Sequence, residues 1–547
     1  MRPVVSRCLW RGWTRFVGGC RSVSTGFTRT DPDFVDPEGP LFAESAEQWR
    51  HTDDPILEAP ILERSNPGMG MLLLNRGDNG ITLRAINSLF KRLRDLEVNT
   101  TKRVVCISSR LPDLFCPGLD RREKLMLGEA ALQEGNASPL AHVWLHHHQE
   151  MAHLIADYRK PLVSFMNGDA RNSGVAVCSL ANRSAVHRHS RAIVDSCRVG
   201  WVLEGGLSFV LGKMPLHLGE FYALTGLECQ GVDLVYAGFS SRWMSPEALP
   251  FLELTSGKQL EANEHIAKQM LDEHFLELPE PAPGAEDVYA WSLAEEAHFI
   301  DSVFGQSNIG LIFRRLQDEV KQDGHFSALA ERCLSAMRQM SPLSLHLVHR
   351  QICFARSCYD DHFRAYTARR GGQIETIDRF LGMDPRARVL SDPEVFRDAV
   401  EMPVLEECLR AEMRVAWRML TGFQQAATTD LLRALYADVL SDSLPDWSMS
   451  VDEISQVAVD EFFEPLPASH ELQLLPRTEF PLSSHPRLRR YHPDYDEATT
   501  LDHDPVHMAR EVHRWADKFM EDERHRLRSL LTGVAPQELD ARFVRIE

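Results

Sequence analysis

Apolar residues between positions 60 and 110 follow the spacing of two strands separated by a helix. Met71 to Leu74 is a short apolar run that ends in Asn75-Arg76. The Val- and Ile-rich run from Lys102 to Ser109 is typical of a buried strand. Between the two runs, Thr82 can cap a helix. Its apolar residues at helical spacing are Ile86, Leu89, Phe90, Leu93 and Leu96.

The rest of the chain predicts one more strand and then a mainly helical region. Residues 140–158 show a helical pattern, and the segment from Lys160 to Gly168 is typical of a strand that ends in a turn. The proline-rich segment 279–284 predicts a hinge before the helical region. Near the C-terminus, one amphipathic helix is predicted from Val506 to Leu531.

Composition limits the classes of function that this chain can have. Its 547 residues, 44% of them hydrophobic, can bury one large core or two ordinary ones. A formal net charge of −19 argues against a protein that mainly grips nucleic-acid phosphates. No stretch reaches the roughly 18 continuous apolar residues that a membrane-spanning helix needs. We therefore expect no membrane partner.

The first thirty residues differ in composition from the rest of the chain. They hold six arginines among Ser, Trp, Phe and Val, and the first acidic residue is Asp31. This basic, acid-poor pattern is typical of a mitochondrial presequence, which predicts residues 1–30 as a presequence and 31–59 as a leader. The eleven cysteines include no C-x-x-C pair, so we expect reduced thiols in the core and no zinc ribbon.

Three segments resemble those of a known enzyme family. Phe115 to Asp120 reads F-C-P-G-L-D, Lys160 to Gly168 reads K-P-L-V-S-F-M-N-G, and residues 218–239 contain A-L-T-G followed by A-G. These strings resemble the crotonase superfamily, and most closely its 3-hydroxyisobutyryl-CoA hydrolase branch. The resemblance implies an α/β fold with a ββα spiral core at 60–250. It also implies a helical part at 251–463 with an insertion at 358–403, and an extension at 464–547.

The resemblance also implies which residues occupy the former active site. In the family, two backbone N–H groups face the thioester oxygen, and a Glu and an Asp eight residues later handle protons. Here the first donor position is Pro117, which has no N–H. The family's glycine triplet corresponds to Asn172-Ser173-Gly174, and Gly118 and Gly174 mark the former CoA-site loop. The Glu corresponds to Ser196 and the Asp to Glu204, so we expect no catalytic residue, cofactor or metal.

Three other groups of residues are weaker candidates for a site. His142, His146 and His153 share a helical face with His147 and His148 nearby, which could bind zinc but is more typical of a solvated polar face. Ser208 follows Gly205-Gly206 without completing a nucleophile motif. A basic group near the C-terminus could contact RNA but is more typical of a surface charge cluster. Its members are Arg487, Arg489, Arg490 and Tyr491.

Two functions of different classes remain open at this stage. The first is a non-catalytic component of the mitochondrial small ribosomal subunit, because relatives of the hydrolase branch serve there in some lineages. Its partners would be ribosomal proteins, with rRNA as a further candidate, in the mitochondrial matrix. The second is an active mitochondrial 3-hydroxyisobutyryl-CoA hydrolase of valine catabolism that uses Glu204, with acyl-CoA as its ligand.

Overall fold

The computed structural model describes eight segments of the chain. They are residues 59–66, 68–99, 101–134, 139–244, 291–369, 396–440, 446–468 and 470–474. Several predicted features lie outside the described residues. These are the presequence, the leader up to residue 58, the hinge at 279–284, the helix from Val506 to Leu531 and the Arg487 cluster.

A six-stranded sheet lies at the centre of the described part. Its strands are β1 (Ile61–Asn66), β2 (Gly68–Leu74), β3 (Lys102–Ser109), β5 (Leu162–Met166), β7 (Arg183–Val186) and β10 (Arg242–Trp243), in that spatial order. Only the β1–β2 pair is antiparallel. Each parallel pair therefore needs a crossover connection, and the intervening helices supply it. The predicted strands at 71–74 and 102–109 are confirmed.

A second sheet of four strands follows the carboxyl ends of the first. Its strands are β4 (Leu114–Cys116), β6 (Asp169–Arg171), β8 (Arg191–Ile193) and β9 (Cys229–Gln230), in that order. The first three strands run parallel, and β9 is antiparallel to β8. Because β4 follows β3 and β6 follows β5, this sheet brings the Phe115 to Asp120 segment beside the turn at Asn172.

Four helices in the N-terminal half pack against the sheets. They are α1 (Leu83–Val98), α2 (Arg121–Glu134), α3 (Pro139–Ala156) and α4 (Ser173–Ser179). The side chain of Thr82 accepts a hydrogen bond from the Ala85 N–H, as a helix cap requires. All five apolar residues predicted for the stripe of α1 are buried. The capped amphipathic helix is confirmed.

Shorter helices lead to a helical C-terminal part. Helices α5 (Leu207–Gly212), α6 (Leu218–Thr225) and α7 (Asp233–Ala237) complete the N-terminal half. They are followed by α8 (Ala297–Phe304), α9 (Ile309–Lys321), α10 (Ser327–Met337), α11 (Pro342–Arg369), α12 (Met402–Leu420), α13 (Gln425–Leu440) and α14 (Gln456–Glu461). The proposed insertion at 358–403 starts inside α11 and ends at the first residues of α12. The combination of a mostly parallel sheet with a helical C-terminal part confirms the predicted fold class.

Two of the three clusters of buried apolar side chains in the described segments pack against the central sheet. The larger one joins the helix-covered face of the sheet to the C-terminal helices, and it includes Leu72, Trp144 and Trp201. The smaller one lies on the opposite face of the six-stranded sheet, around Met71, Val104 and Phe165. The nine cysteines in the described segments are free, and eight of them are buried. The predicted free thiols are confirmed at these nine positions and their core location at eight.

The predicted solvated histidine face on α3 is wrong. All five histidines, His142, His146, His147, His148 and His153, are buried. The physical reason is that α3 packs mainly against α1 and α12 and also contacts α2 and α4. Some of the rings find polar partners inside these contacts: His142 Nε2 donates to the His470 carbonyl over 3.0 Å, and His147 Nδ1 donates to Asn87 Oδ1 over 3.0 Å.

Candidate functional site

The loop that follows β4 forms one wall of the candidate site. Pro117 is half-buried there, and its nitrogen carries no hydrogen for a ligand oxygen. Gly118 has a φ of +88°, and a Cβ on it would lie 3.0 Å from both the Arg171 carbonyl oxygen and Ser173 Oγ. The loop therefore needs glycine at 118 and packs directly on the turn that starts α4.

Asn172 holds that turn in a backbone conformation that favours glycine. Its φ of 48° and ψ of −126° correspond to the position that the family's glycine triplet would fill. A non-glycine residue there costs about 1–3 kcal/mol unless its surroundings compensate. The Asn172 side chain supplies the compensation. Its Oδ1 accepts from the Asp195 N–H at 3.0 Å and from Ser196 Oγ at 2.8 Å, and its Nδ2 donates to Asp195 Oδ1 at 2.8 Å.

Ser173 and Gly174 close the contact between the two loops. Ser173 is 1% exposed, and its Oγ accepts a hydrogen bond from the Leu119 N–H over 3.2 Å. A Cβ on Gly174 would lie 2.1 Å from the Cys116 carbonyl oxygen, so no larger residue fits there without moving the backbone. The serine side chain thus occupies the space between the two would-be donor loops and ties them together.

Ser196 lies where the resemblance places a catalytic glutamate. It begins a short 3₁₀ turn, Ser196–Val199, and is buried. Its hydroxyl donates to Asn172 Oδ1, so Ser196 helps to hold the residue that adopts the glycine-like conformation. A serine with an amide oxygen as its partner has no base to activate it.

Glu204 keeps a carboxylate in the site, but that group is already engaged. It is 1% exposed, its Oε1 lies 3.5 Å from Lys124 Nζ, and its Oε2 accepts from Trp201 Nε1 over 2.6 Å. Burial raises the pKa of Glu204, while the Lys124 charge and hydrogen bonds from Trp201, Lys124 and Ser173 act in the opposite direction. Lys124, on α2, also lies over the Trp201 ring at 4.1 Å, and burial lowers its pKa.

His148 lies against the same group of residues. A Cβ on Gly205 would be 2.6 Å from His148 Cε1 and 3.3 Å from Ser173 Cβ, which places the imidazole beside both. Burial first, and then the nearby Lys124 charge, lower the pKa of His148 to about 3. Its Nδ1 has no hydrogen-bond partner within the described segments. The ring is therefore neutral at ordinary pH.

Glu412 is a buried carboxylate next to this site that sequence reasoning missed. It projects from α12 and accepts from the Gly206 N–H at 2.7 Å, the Ser208 N–H at 2.8 Å and Ser208 Oγ at 2.6 Å. Burial raises its pKa to about 7 despite these donors. A signal was present in the sequence, because Glu412 continues the buried row of α12 that contains Leu405, Cys408 and Leu409. The Glu412 carboxylate thus accepts from backbone N–H groups at the start of α5, where Ser208 is the second residue.

The structure brings Pro117, Asn172, Ser173, Ser196 and Glu204 into one region. Pro117 cannot donate, Ser196 has no carboxylate, and the Glu204 carboxylate is held by Lys124 and Trp201. Across the described segments, no group of three or more His, Cys, Asp or Glu side chains is placed to hold a metal ion. No helix in those segments has the length and apolarity needed to cross a bilayer.

Comparisons with known proteins agree with the fold. Residues 69–367 match the family model described as enoyl-CoA hydratase/isomerase. The small ribosomal subunit protein mS47 of Neurospora crassa is 26% identical over 285 residues, which cover 51% of this chain and 55% of that protein. The mitochondrial 3-hydroxyisobutyryl-CoA hydrolase of Danio rerio is 25% identical over 289 residues, covering 52% and 70%.

A solved structure supports the same assignment at the level of the fold. The carnitinyl-CoA dehydratase from Mycobacterium thermoresistibile matches with a TM-score of 0.56 and 20% identity. The match covers 76% of this chain and 99% of that one. Since the family model spans more than half of the sequence, this chain belongs to the enoyl-CoA hydratase/isomerase family.

Proposed function

We propose that this chain is a non-catalytic, 3-hydroxyisobutyryl-CoA hydrolase-like component of the mitochondrial small ribosomal subunit. Ribosomal proteins, and rRNA as a further class, would be its partners, and the mitochondrial matrix its compartment. Residues 1–30 would act as the presequence that directs it there. The similarity to the Neurospora crassa ribosomal protein supports the host, since that relative carries the name of a small-subunit protein.

Two features of the site support the proposed lack of catalysis: Pro117 has no N–H, and the Glu204 carboxylate is engaged by Lys124. Removal of one oxyanion donor typically costs about 100- to 1000-fold in turnover. Loss of a general base typically lowers turnover by a further factor of about 100 to 10,000. Pro117 removes the donor, and the carboxylate of Glu204 faces a buried lysine at 3.5 Å instead of open space. The two losses together would reduce a hydrolase to a rate without metabolic use.

One observation favours a second candidate function. Glu204 is still a carboxylate at the position of the family's aspartate, and a relative with 25% identity is named as the mitochondrial hydrolase. An active enzyme would have to release Glu204 from Lys124 and replace the oxyanion donor missing at Pro117 with another backbone N–H. We therefore rank the hydrolase behind the ribosomal component.

Sedimentation of native mitochondrial lysate tests the proposed host directly. We expect the protein to travel with small-subunit particles through a sucrose gradient and to remain there at moderate salt, since a built-in subunit buries contacts that salt does not screen. Dissociation of the subunits with EDTA should leave it with the small one. Its absence from these fractions would overturn the ribosomal assignment.

A further inference from the structure

A cavity of about 560 Å³ lies away from the candidate site, at the opposite end of the same strands. The candidate site follows the carboxyl ends of β3 and β5 and the start of α4. The cavity is lined by residues before β5, at the start of β7 and at the end of α4, with α5 and the start of α12 on its other side. Because α4 has seven residues, its two ends are about 10 Å apart.

Positive charge dominates the lining of this cavity. Five cationic side chains line it, together with one carboxylate, that of Glu401. The cationic residues are Arg159, Lys160, Arg183, Lys213 and Arg397. The chain as a whole carries a formal net charge of −19, so a concave surface of this sign is a local departure from the average.

Two features of the surroundings oppose this positive charge. Helices α3 and α4 both end at the cavity, and the carbonyl end of a helix acts as roughly half a negative charge. Each of the five cations also has a partner. Lys160 and Arg183 donate to backbone carbonyls, Lys213 pairs with Glu401, and Arg397 lies beside Asp157 and Asp398. The five cations still outnumber these three carboxylates, so the formal charge around the cavity is positive.

The hydroxyl groups on the same wall already donate their hydrogens to protein oxygens. Ser184 and Ser241 join across 3.2 Å through their Oγ atoms, and the Ser241 N–H donates to Ser184 Oγ over 2.8 Å. Ser179 Oγ donates to the Phe239 carbonyl. The cations are therefore the groups in this lining that would bind phosphate oxygens, through charge-assisted hydrogen bonds.

We infer that this cavity binds a small phosphorylated molecule. Its volume falls within the range of small-molecule sites, about 300–1000 Å³, and its concave shape suits a compact ligand better than a continuous nucleic-acid backbone. The site is independent of thioester chemistry, since none of the residues that line it belongs to the Pro117, Asn172 or Glu204 groups.

Calorimetric titration of the full-length protein with pyrophosphate and with ADP tests this site. We expect saturable binding of at least one probe with a Kd below about 1 mM in low-chloride buffer. The double variant Arg159→Met/Lys213→Met, at two exposed positions, should bind about tenfold more weakly or worse, because charge-assisted hydrogen bonds are lost. Thermal melting of each variant establishes that it is folded.

The matched control removes two exposed cations outside the cavity. Lys321→Met/Arg332→Met makes the same change of charge on α9 and α10 and should leave the affinity within about twofold of the wild-type value. An equal loss of affinity in both double variants would contradict binding in this cavity. The absence of saturable binding by the wild type would contradict it as well. Binding of an oligouridylate that depends on Arg159 and Lys213, without binding of either small probe, would replace the small ligand with RNA.

Discussion

Ser196 Oγ donates a hydrogen bond to Asn172 Oδ1 over 2.8 Å, which links two departures from the family's active-site pattern. Asn172 has a φ of 48°, which favours glycine, and the family resemblance places a catalytic glutamate at Ser196. The Ser196 hydroxyl thus helps to hold the strained turn at Asn172.

The coupling between these two residues predicts a measurable non-additivity. Ser196→Ala should lower the free energy of unfolding by about 1 kcal/mol, because it removes one hydrogen bond to a strained residue. In an Asn172→Gly background the same change should cost clearly less, since the acceptor is gone and glycine adopts the backbone conformation freely. Urea denaturation of the four proteins measures the difference.

A surface serine provides the control for this cycle. Ser307→Ala, at an exposed position, should change the free energy of unfolding by less than about 0.5 kcal/mol in both backgrounds. Equal costs of Ser196→Ala with and without Asn172 would show that the hydrogen bond does not hold the turn.

Breaking the buried Lys124–Glu204 pair should destabilise the protein in a pH-dependent way. Lys124→Met leaves the Glu204 carboxylate buried without its cation, which costs about 3–5 kcal/mol at neutral pH. Burial already raises the pKa of Glu204, and loss of Lys124 raises it further. The carboxyl is then favoured in its protonated form, so the variant should be more stable near pH 5 than near pH 8.

The double variant Lys124→Met/Glu204→Gln separates charge from packing. Because the amide of glutamine carries no charge, this protein should recover much of the lost stability at pH 8 and lose the extra dependence on pH. Denaturant unfolding between pH 5 and pH 8 gives both results. A Lys124→Met variant with a flat pH profile would show that Glu204 is not held as a buried anion.

The raised pKa of Glu412 predicts a second dependence of stability on pH. Its pKa is raised to about 7 in the folded protein, so its stabilising contribution is present at acid pH and is lost as the pH rises toward 7. From an unfolded-state pKa near 4.5, the loss amounts to about 3 kcal/mol by pH 7. Glu412→Gln should remove this part of the slope.

Comparison with a surface carboxylate isolates the effect of Glu412. Glu331→Gln, at an exposed position of α10, should keep the wild-type slope of unfolding free energy between pH 4.5 and 7. The difference between wild type and Glu412→Gln, measured by urea denaturation at each pH, reports the buried group alone. A constant difference across this range would contradict a raised pKa for Glu412.

Local periodicity and short motifs in the sequence predicted the fold class and several of its elements. They did not predict which helices pack together from distant parts of the chain. The helix capped by Thr82 and the strand from Lys102 to Ser109 follow from neighbouring residues alone. The burial of the α3 histidines depends on α12, which lies about 250 residues further along the chain. Glu412 was missed for a similar reason, because its partners Gly206 and Ser208 lie 206 and 204 residues earlier in the chain. Motif positions did predict that Pro117 and Ser173 would lie on neighbouring loops.

Hydrolysis of 3-hydroxyisobutyryl-CoA by the purified full-length protein tests the central claim most directly. We predict no turnover above the buffer rate, and the same result for a folded Glu204→Ala variant, because Pro117 donates no hydrogen bond and Lys124 holds the remaining carboxylate. Turnover well above the buffer rate that disappears in Glu204→Ala, with the variant still folded, would contradict the claim that this site has lost its catalysis.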